Sequence, residues 1–353
     1  MKKILLVKLT SMGDLIQFLP ALTDAAQAIP GIQFDWVIEE SFTDVARLHP
    51  TIDNIISLPY RRWKKNKIQA LRSGEISDFW KRLRHQQYDL VIDTQSNLKS
   101  AFVTRLTRGL RLGLDAKSVR EYGAHFAYQK TISVNRDQNH AARLRQLMAT
   151  HLGYELPKTP AHYGINKATL PVLDFELPEQ FIFITHICST PIKLWPEPFW
   201  QTVVDDIASS GFSIILPWWS AEEKARSLRL KSNHDNVQLL PPLNLTEKAS
   251  VISKATACIS LDTGLAHMAA ALDIPNVTLY GSTNPKHVGA YGANQIHVSA
   301  TGPSCSPCIK TNCTYEGFSN YKPACMETIT PQEVLRAFYA CLEGVRKVPA
   351  FGV

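Results

Sequence analysis

The sequence predicts an α/β fold built from two successive doubly wound domains with parallel sheets. Short, β-rich apolar runs alternate with longer helical runs, and this alternation stops in the proline-rich stretch 158–180 and then restarts. A chain of 353 residues is also longer than a domain with a single hydrophobic core usually is. Because alternating strands and helices form right-handed β–α–β units, we predict domains at 1–170 and 171–330. A last segment, 331–353, is predicted to be a helix that crosses back to the first domain.

The predicted elements repeat the same order in each domain. The strands of the first domain are expected at 4–8, 34–39, 54–59, 90–95 and 112–115, and its helices at 14–28, 68–87, 100–107 and 140–152. The strands of the second domain are expected at 181–187, 212–218, 237–240, 257–262 and 276–281, and its helices at 198–210, 221–231, 246–255 and 264–272. Two such sheets facing each other place a ligand cleft at the carboxyl ends of their strands.

Composition and charge narrow the class of protein. The chain is 45% apolar and 20% charged, an ordinary globular mixture that excludes disorder and collagen. Its apolar runs end well before the roughly 18 residues that a membrane span needs. The apolar start stops at Lys8 with no small-residue cleavage site after it, so we predict a first strand and a cytoplasmic protein. The net charge of +7 favours an acidic partner: nucleic acid, an anionic lipid surface or a phosphorylated substrate.

The turn after the first strand is the first candidate site. Gly13 permits an unusual backbone angle, and Thr10 and Ser11 offer hydroxyl or amide donors. The turn lacks the spacing of dinucleotide-binding and P-loop motifs, which excludes both. Asp14 opens the next helix and has two interpretations: general base at the mouth of the cleft, or N-terminal cap of the helix.

A second candidate site follows a buried strand of the second domain. Asp262 ends that strand, and the amides of Thr263 and Gly264 begin a helix whose positive end is a natural seat for a diphosphate. His267, one turn further, is a possible donor, although a capped helix with a surface histidine would look the same. Lys193 lies in an earlier loop, where it either neutralises a departing phosphate or is a solvated lysine.

The basic excess is concentrated between Tyr60 and His85. Only Glu75 and Asp78 oppose nine basic residues there: Arg61, Arg62, Lys64, Lys65, Lys67, Arg72, Lys81, Arg82 and Arg84. The cluster at 61–65 suits several negative charges at once. Its position directly after a strand favours a place at the cleft over a merely solubilising helix face.

Taken together, these motifs resemble bacterial lipopolysaccharide heptosyltransferases, the inverting glycosyltransferase family 9 of GT-B fold. The likeness covers nearly the whole chain and is closest to the heptosyltransferase I branch. It is carried by the segments KLTSMGD (8–14), LPALTD (19–24), IPG (29–31), FDWVIEE (34–40), RRWKK (61–65), DTGLAH (262–267) and YGST (280–283).

The resemblance implies transfer of L-glycero-D-manno-heptose from ADP-heptose to a Kdo sugar of lipid A, with no cofactor required. Asp14 would be the general base, and Lys193 would stabilise the leaving ADP. The donor would be held by Thr185, Thr190, Glu222, Asp262, Thr263, Gly264 and His267, with Glu223 competing for the role of Glu222. The acceptor would be held by Ser11, Gly13, Arg61, Arg62, Lys64, Lys65 and Arg120. The protein would work at the cytoplasmic face of the inner membrane, in peripheral contact with it.

The C-terminal cysteines depart from the best-known heptosyltransferase I pattern. Cys305, Cys308, Cys313 and Cys325 resemble a segment of heptosyltransferase II and of the OpsX-type branch of heptosyltransferase I. We predict the OpsX-like type, because the first motif and 61–65 favour it. Four thiols match the ligand count of a Zn²⁺ site, but the gap from Cys313 to Cys325 is not a standard second pair, so thiols of a structural loop are the preferred interpretation.

Two other functions compete with this prediction. Heptosyltransferase II would add a second heptose to an acceptor that already bears one. A nucleic-acid-binding protein would use the cluster at 61–65, with a steep salt dependence. The latter leaves Lys193 and 262–267 without a role and offers few stacking aromatics beyond Trp63, so we predict no nucleic-acid partner.

Overall fold

The computed structural model describes residues 2–347, with side chains as far as Glu343, and the chain divides into two compact units. These units are Met1–Asn166 and Lys167–Val353, so the division falls at 166/167 where the sequence predicted 170/171. Each unit contains one six-stranded parallel sheet. None of the helices in the described part of the chain is long and apolar enough to cross a bilayer.

Unit 1 has the strand order β3-β2-β1-β4-β5-β6. Its strands are β1 (Ile4–Val7), β2 (Phe34–Glu39), β3 (Ile52–Leu58), β4 (Gln87–Asp93), β5 (Arg108–Leu114) and β6 (Lys130–Ile132). Its helices are α1 (Met12–Ile16), α2 (Leu19–Ala28), α3 (Thr43–Arg47), α4 (Tyr60–Lys65), α5 (Lys67–Arg72), α6 (Glu75–His85), α7 (Leu98–Arg105) and α8 (His140–Leu152).

Unit 2 has the strand order β12-β11-β10-β7-β8-β9. Its strands are β7 (Phe181–Thr185), β8 (Ser213–Leu216), β9 (Val237–Leu239), β10 (Ala257–Leu261), β11 (Asn276–Tyr280) and β12 (Gln295–Ser299). Its helices are α9 (Glu197–Ser209), α10 (Ala221–Lys231), α11 (Leu245–Ser253), α12 (Gly264–Ala271), α13 (Pro285–Val288), α14 (Ala324–Glu327) and α15 (Pro331–Lys347).

The two units repeat one topology. In each, the first strand pairs with the second and the fourth. The first three strands therefore extend the sheet to one side and the next three extend it to the other, with the switch between β1 and β4 and between β7 and β10. Ligands bind at the carboxyl ends of the strands beside such a switch point. The central strands β1, β7, β10 and β11 are buried along their whole length, which explains why apolar residues predominate in their sequences. The predicted α/β class with two doubly wound sheets is confirmed.

Two long predicted helices are each broken in the structure. The helix predicted at 68–87 becomes α5 and α6, because Gly74 between them adopts φ +75°, a left-handed conformation that a helix does not continue through. The helix predicted at 14–28 becomes α1 and α2, with Pro20 in the first turn of the second helix. The sequence did not predict the two edge strands β6 and β12.

The C-terminal helix packs on unit 2. Val334 and Phe338 of α15 are fully buried in the core of this unit, which also contains Trp200 of α9 and Leu279 of β11. Residues 348–353, the end of the segment predicted to cross back, lie outside the described residues. The crossing stays a prediction.

Candidate active site

The loop after β1 is fixed by the neighbouring strand of the sheet. Gln95, just beyond the end of β4, accepts hydrogen bonds from the amides of Leu9 at 2.5 Å and Thr10 at 3.3 Å through its Oε1. The indole of Trp36 donates to the carbonyl of Lys8 at 2.9 Å. These bonds hold the start of α1 at the switch point of unit 1.

Asp14 takes part in the cap of α1, but as the third residue of a capping box in which Ser11, not Asp14, is the N-cap residue; its role as general base stays a prediction. Its Oδ2 accepts hydrogen bonds from the amide and the hydroxyl of Ser11, both at 3.2 Å, which makes a helix cap. The same oxygen also accepts a hydrogen bond from Nη1 of Arg120 at 3.4 Å. Oδ1 lies 4.0 Å from Nε2 of His140 and accepts no hydrogen bond from the described part of the chain. Within the described residues, one carboxylate oxygen is therefore hydrogen-bonded and the other is not.

Basic groups surround this carboxylate. Burial alone would raise the pKa of Asp14, but His140 when its ring is protonated, the charges of Lys8 and Arg120, and the Ser11 amide hold it well below its usual range. Burial lowers the pKa of Lys8 to about 8, against the attraction of Asp14. Burial and the nearby Lys8 also lower the pKa of His140, so its ring is neutral at pH 7. Asp14 is therefore ionised at neutral pH beside a buried ammonium group.

Lys8 and His140 are site residues that sequence reasoning missed. The Lys8 ammonium contacts Nε2 of His140 at 3.2 Å and donates to the carbonyl of Thr94 at 3.1 Å. Lys8 opens the motif KLTSMGD (8–14) and ends a buried strand, but neither feature by itself assigned it a role in the site. No spacing rule could have joined it to His140, which lies 132 residues later.

Two long-range contacts bring the remaining groups to Asp14. The backbone amide of Arg120 donates to the carbonyl of Ser96, just beyond β4, at 3.0 Å. His140 begins α8, which is attached to α2 through a buried ion pair between Arg145 and Asp24, with an Nε–Oδ2 distance of 2.6 Å. The site thus depends on helix packing as well as on the loop after β1.

The basic cluster at 61–65 forms the short helix α4 immediately after β3. The side chains of Arg61, Lys64 and Lys65 are exposed, and the Arg61 guanidinium lies 4.8 Å from the ring centre of Phe42. Arg62 differs, because its guanidinium bonds to both oxygens of Glu75 at 2.8 Å and to Glu40 at 3.2 Å. Its charge is compensated within the protein, which weakens the acceptor role predicted for it.

In unit 2, an ion pair joins the loop after β7 to the end of β10. The Lys193 ammonium donates to Oδ2 of Asp262 at 2.6 Å and to the backbone carbonyl of the same residue at 3.1 Å. The Thr283 hydroxyl, from the turn after β11, donates to the same carboxylate oxygen at 2.7 Å. Three adjacent loops therefore meet at the switch point of unit 2.

Four hydroxyl oxygens at the same end of this sheet are buried and have no hydrogen-bond partner within the described residues. They belong to Thr185, Ser260, Thr263 and Ser282. Buried polar atoms in folded proteins are usually hydrogen-bonded, so a group of unpaired ones indicates a place for a ligand. Thr263 is also the N-cap of α12, without a side-chain capping bond, and His267 lies buried one turn into that helix. Hydroxyl groups and the positive end of a helix together suit a phosphate.

The structure distinguishes between Glu222 and Glu223. Glu223 accepts hydrogen bonds from the amides of Trp219 at 2.9 Å and Ser220 at 3.0 Å, which completes the capping box of α10. Glu222 is exposed and takes no part in that box. Thr190 starts the short turn that carries Lys193, and its carbonyl accepts from the Lys193 amide at 3.0 Å.

Comparison with known proteins identifies the family. The model for glycosyltransferase family 9 (heptosyltransferase) matches residues 76–319. The chain belongs to glycosyltransferase family 9. It is 42% identical over 350 residues to lipopolysaccharide heptosyltransferase 1 of Pseudomonas aeruginosa, covering 96% of this chain and 98% of that protein. The predicted family and the glycosyltransferase activity are confirmed.

Solved structures of the E. coli heptosyltransferase WaaC are also similar to this family 9 enzyme. The structure with ADP has a TM-score of 0.83 and 35% identity, covering 96% of this chain and 99% of that one. The structure with ADP-2-deoxy-2-fluoro heptose has a TM-score of 0.81, with the same identity and coverage. The GT-B class predicted for this glycosyltransferase is confirmed.

The predicted site residues of this glycosyltransferase form separate groups. Ser11, Gly13, Asp14 and Arg120 lie together in unit 1, and Arg61, Lys64 and Lys65 lie on α4 of the same unit. The predicted donor residues lie in unit 2, in the loop after β7 and at the starts of α10 and α12: Thr185, Thr190, Lys193, Glu222, Asp262, Thr263, Gly264 and His267.

The cysteine segment of this glycosyltransferase does not assemble a metal centre within the described residues. No group of three or more His, Cys, Asp or Glu residues there is arranged to hold a metal ion. Cys305 is exposed, whereas Cys325 is buried, and burial raises the pKa of Cys325 to about 11. The described residues therefore show no preassembled metal site in this segment, and the Zn²⁺ site considered from the sequence stays a prediction.

Proposed function

We propose that this glycosyltransferase transfers L-glycero-D-manno-heptose from ADP-heptose to a Kdo sugar of lipid A, with inversion, as a heptosyltransferase I. The observation that carries the proposal is the ionised Asp14 carboxylate. Its Oδ2 accepts hydrogen bonds from Ser11 and Arg120, whereas its Oδ1 accepts none from the described residues. An inverting transfer needs such a base beside the acceptor hydroxyl. The name of the Pseudomonas aeruginosa relative and the two WaaC complexes support the sugar and its nucleotide.

On the acceptor side, Oδ1 of Asp14 takes the proton of the attacking Kdo hydroxyl. A carboxylate with a low pKa is a weak base, but the hydroxyl becomes far more acidic as its oxygen bonds to the anomeric carbon. Proton transfer is therefore late in the reaction. Arg120, beside Asp14, and the exposed cations Arg61, Lys64 and Lys65 supply positive charge for the carboxylate and phosphate groups of the acceptor.

On the donor side, the diphosphate occupies the N-terminus of α12. The unpaired hydroxyls of Thr185, Thr263 and Ser282 donate to its oxygens. Lys193 donates two of its three N–H groups to Asp262, which leaves one for the phosphate, and its charge stabilises the negative charge that develops on the leaving ADP. Because these groups supply the positive charge, the proposal includes no cofactor. The acceptor is a membrane lipid, so the reaction is placed at the cytoplasmic face of the inner membrane.

The test is transfer of heptose from ADP-heptose to Kdo–lipid A by the purified protein, compared with Asp14→Asn. We expect the substitution to lower kcat by about 10²–10⁴-fold, the usual contribution of general base catalysis. Asp78→Asn is the matched control, because Asp78 is exposed and forms only a 3.3 Å pair with Lys81. Full activity of folded Asp14→Asn protein would remove Asp14 from the base role.

The choice of acceptor separates heptosyltransferase I from heptosyltransferase II. Acceptors with one phosphorylated Kdo, with two Kdo units and with one heptose already attached are compared in the same assay. We expect the heptose-free acceptors to have the higher kcat/KM. A preference for the acceptor that already carries heptose would assign the second transfer instead.

A further inference from the structure

The segment from α4 to α5 has an unusual surface. Residues 60–72 contain six basic side chains and no acidic one, and of the six Arg62 is paired with Glu40 and Glu75 from outside the segment. Two large aliphatic side chains of α5 are also exposed to solvent: Ile68 is 68% exposed and Leu71 is 70% exposed. Because they are three residues apart on one helix, they lie on the same face. On the protein side of the segment, Trp63 and Ala70 are buried and attach it to the core of unit 1.

Basic and apolar groups alternate at close range in this segment. A shallow groove on its surface is lined by Lys64, Lys65, Lys67 and Arg72 together with Ile68. An anion in the groove would therefore lie beside an aliphatic side chain. Negative head groups attached to acyl chains have this combination of chemistry.

The neighbouring helix extends the surface. Leu98 and Phe102 of α7 are exposed and four residues apart, so they share one face of the helix. Between them, the Lys99 ammonium lies 4.9 Å from the ring centre of Tyr60, at the start of α4. Exposed apolar side chains and ammonium groups thus continue from α4 onto α7.

We propose that Ile68 and Leu71, with the basic side chains of 60–72, dock unit 1 onto an anionic lipid bilayer. The charge of the segment is complementary to anionic head groups, and the two aliphatic side chains enter the boundary between head groups and acyl chains. Nucleic acid would neutralise the charge but leave both aliphatic side chains in water, and the Trp63 ring is buried and therefore not available for stacking. The inference rests on the proposed function only in that the acceptor is a membrane lipid.

The experiment measures cosedimentation of the purified protein with vesicles of phosphatidylethanolamine and phosphatidylglycerol, and with vesicles of phosphatidylcholine. We expect binding to the anionic vesicles that weakens with salt, and weak binding to the neutral ones. The double variant Ile68→Ser/Leu71→Ser should lower the affinity for anionic vesicles on the order of tenfold or more, since two aliphatic side chains no longer enter the membrane. The control Val172→Ser/Phe318→Ser changes two side chains of unit 2 that are 96% and 90% exposed, and should bind as the wild type does.

An activity arm separates this inference from the proposed function. The Ile68→Ser/Leu71→Ser protein should act more slowly than the wild type on Kdo–lipid A in vesicles, but equally fast on a soluble Kdo acceptor without acyl chains. No transfer by the wild type to either acceptor would contradict the proposed function and leave the vesicle result standing. Three results would each overturn the docking proposal. The first is undiminished vesicle binding by the variant, and the second is equal binding of the wild type to neutral and anionic vesicles. The third is retention on an RNA oligonucleotide at physiological salt without vesicle binding.

Discussion

Burial destabilises the charged form of the Lys8 ammonium group, and the nearby Asp14 carboxylate stabilises it. Its pKa of about 8 means that it is largely charged at pH 7 and neutral well above pH 8. We therefore expect kcat/KM to fall on the alkaline side with an apparent pKa near 8, as the charge that supports Asp14 is lost.

Replacement of Lys8 by Met keeps the length of the side chain and removes the charge. The variant should lose about tenfold in kcat/KM at pH 7 and should show no alkaline decline near pH 8, because the titrating group is absent. The measurement is kcat/KM between pH 6 and 10, with the exposed Lys81→Met as control. An alkaline decline that persists in Lys8→Met would assign it to another group.

The limits of sequence reasoning are clear at the residue scale. Asp14, Lys193 and Asp262 follow strands in recognisable motifs, and the sequence could therefore indicate them. His140 starts a helix with no motif of its own and reaches Lys8 only through the tertiary packing that places α8 against α2. Ser282 was missed as a site residue for a related reason, since only the structure shows that its hydroxyl is buried without a partner.

At the scale of elements, a buried ion pair joins α8 to α2. Arg145 and Asp24 are both almost fully buried, and the guanidinium also donates to the carbonyls of Pro157 and Thr159. Asp24→Asn leaves a buried guanidinium without its counter-charge, which should cost about 3–5 kcal/mol in the free energy of unfolding.

The measurement is urea unfolding followed by circular dichroism. Asp44→Asn breaks the exposed pair of Asp44 with Arg47 and should cost less than about 1 kcal/mol. The double variant Asp24→Leu/Arg145→Leu should be more stable than Asp24→Asn alone, because no charge is then left buried. Equal losses for Asp24→Asn and Asp44→Asn would show that burial adds nothing to the pair.

A helix or strand could be predicted from the sequence where the residues that set its ends lie next to it in the chain. Helix α8 begins and ends where it was predicted, at 140 and 152, because Asn139 caps its start and Gly153 ends it with φ +79°. The break at Gly74 was missed because the apolar periodicity on both sides of it also fits one long helix. The edge strand β6 is only three residues long, too short for any periodicity, and it forms through pairing with β5.

At the scale of the whole molecule, the same topology occurs twice, and each unit contains a buried neutral histidine. His49 of unit 1 lies between the hydroxyls of Thr23 and Thr51, at 3.0 and 2.8 Å, and burial lowers its pKa to about 4. His186 of unit 2 contacts the Ser227 hydroxyl at 2.9 Å, and burial lowers its pKa to about 3. Both rings are therefore neutral in the folded protein well below the pH at which a free histidine takes up a proton.

The stability of both units should therefore fall as the pH falls from 7 to 5. Below about pH 6.5 the unfolded chain protonates these histidines and the folded chain does not, so protons favour unfolding by about 1.4 kcal/mol per pH unit for each histidine. His140 of unit 1, whose pKa is lowered to about 3, adds a share of the same sign that neither variant below removes. Asp14, whose pKa is also lowered, acts in the same direction only below about pH 4. Urea unfolding at pH 7 and pH 5 should show a loss of about 2 kcal/mol for each buried histidine. His186→Gln should remove that share of the loss and keep the share due to His49, whereas His49→Gln should do the reverse. If both variants lost as much stability between pH 7 and pH 5 as the wild type, the acid sensitivity would have to come from other groups.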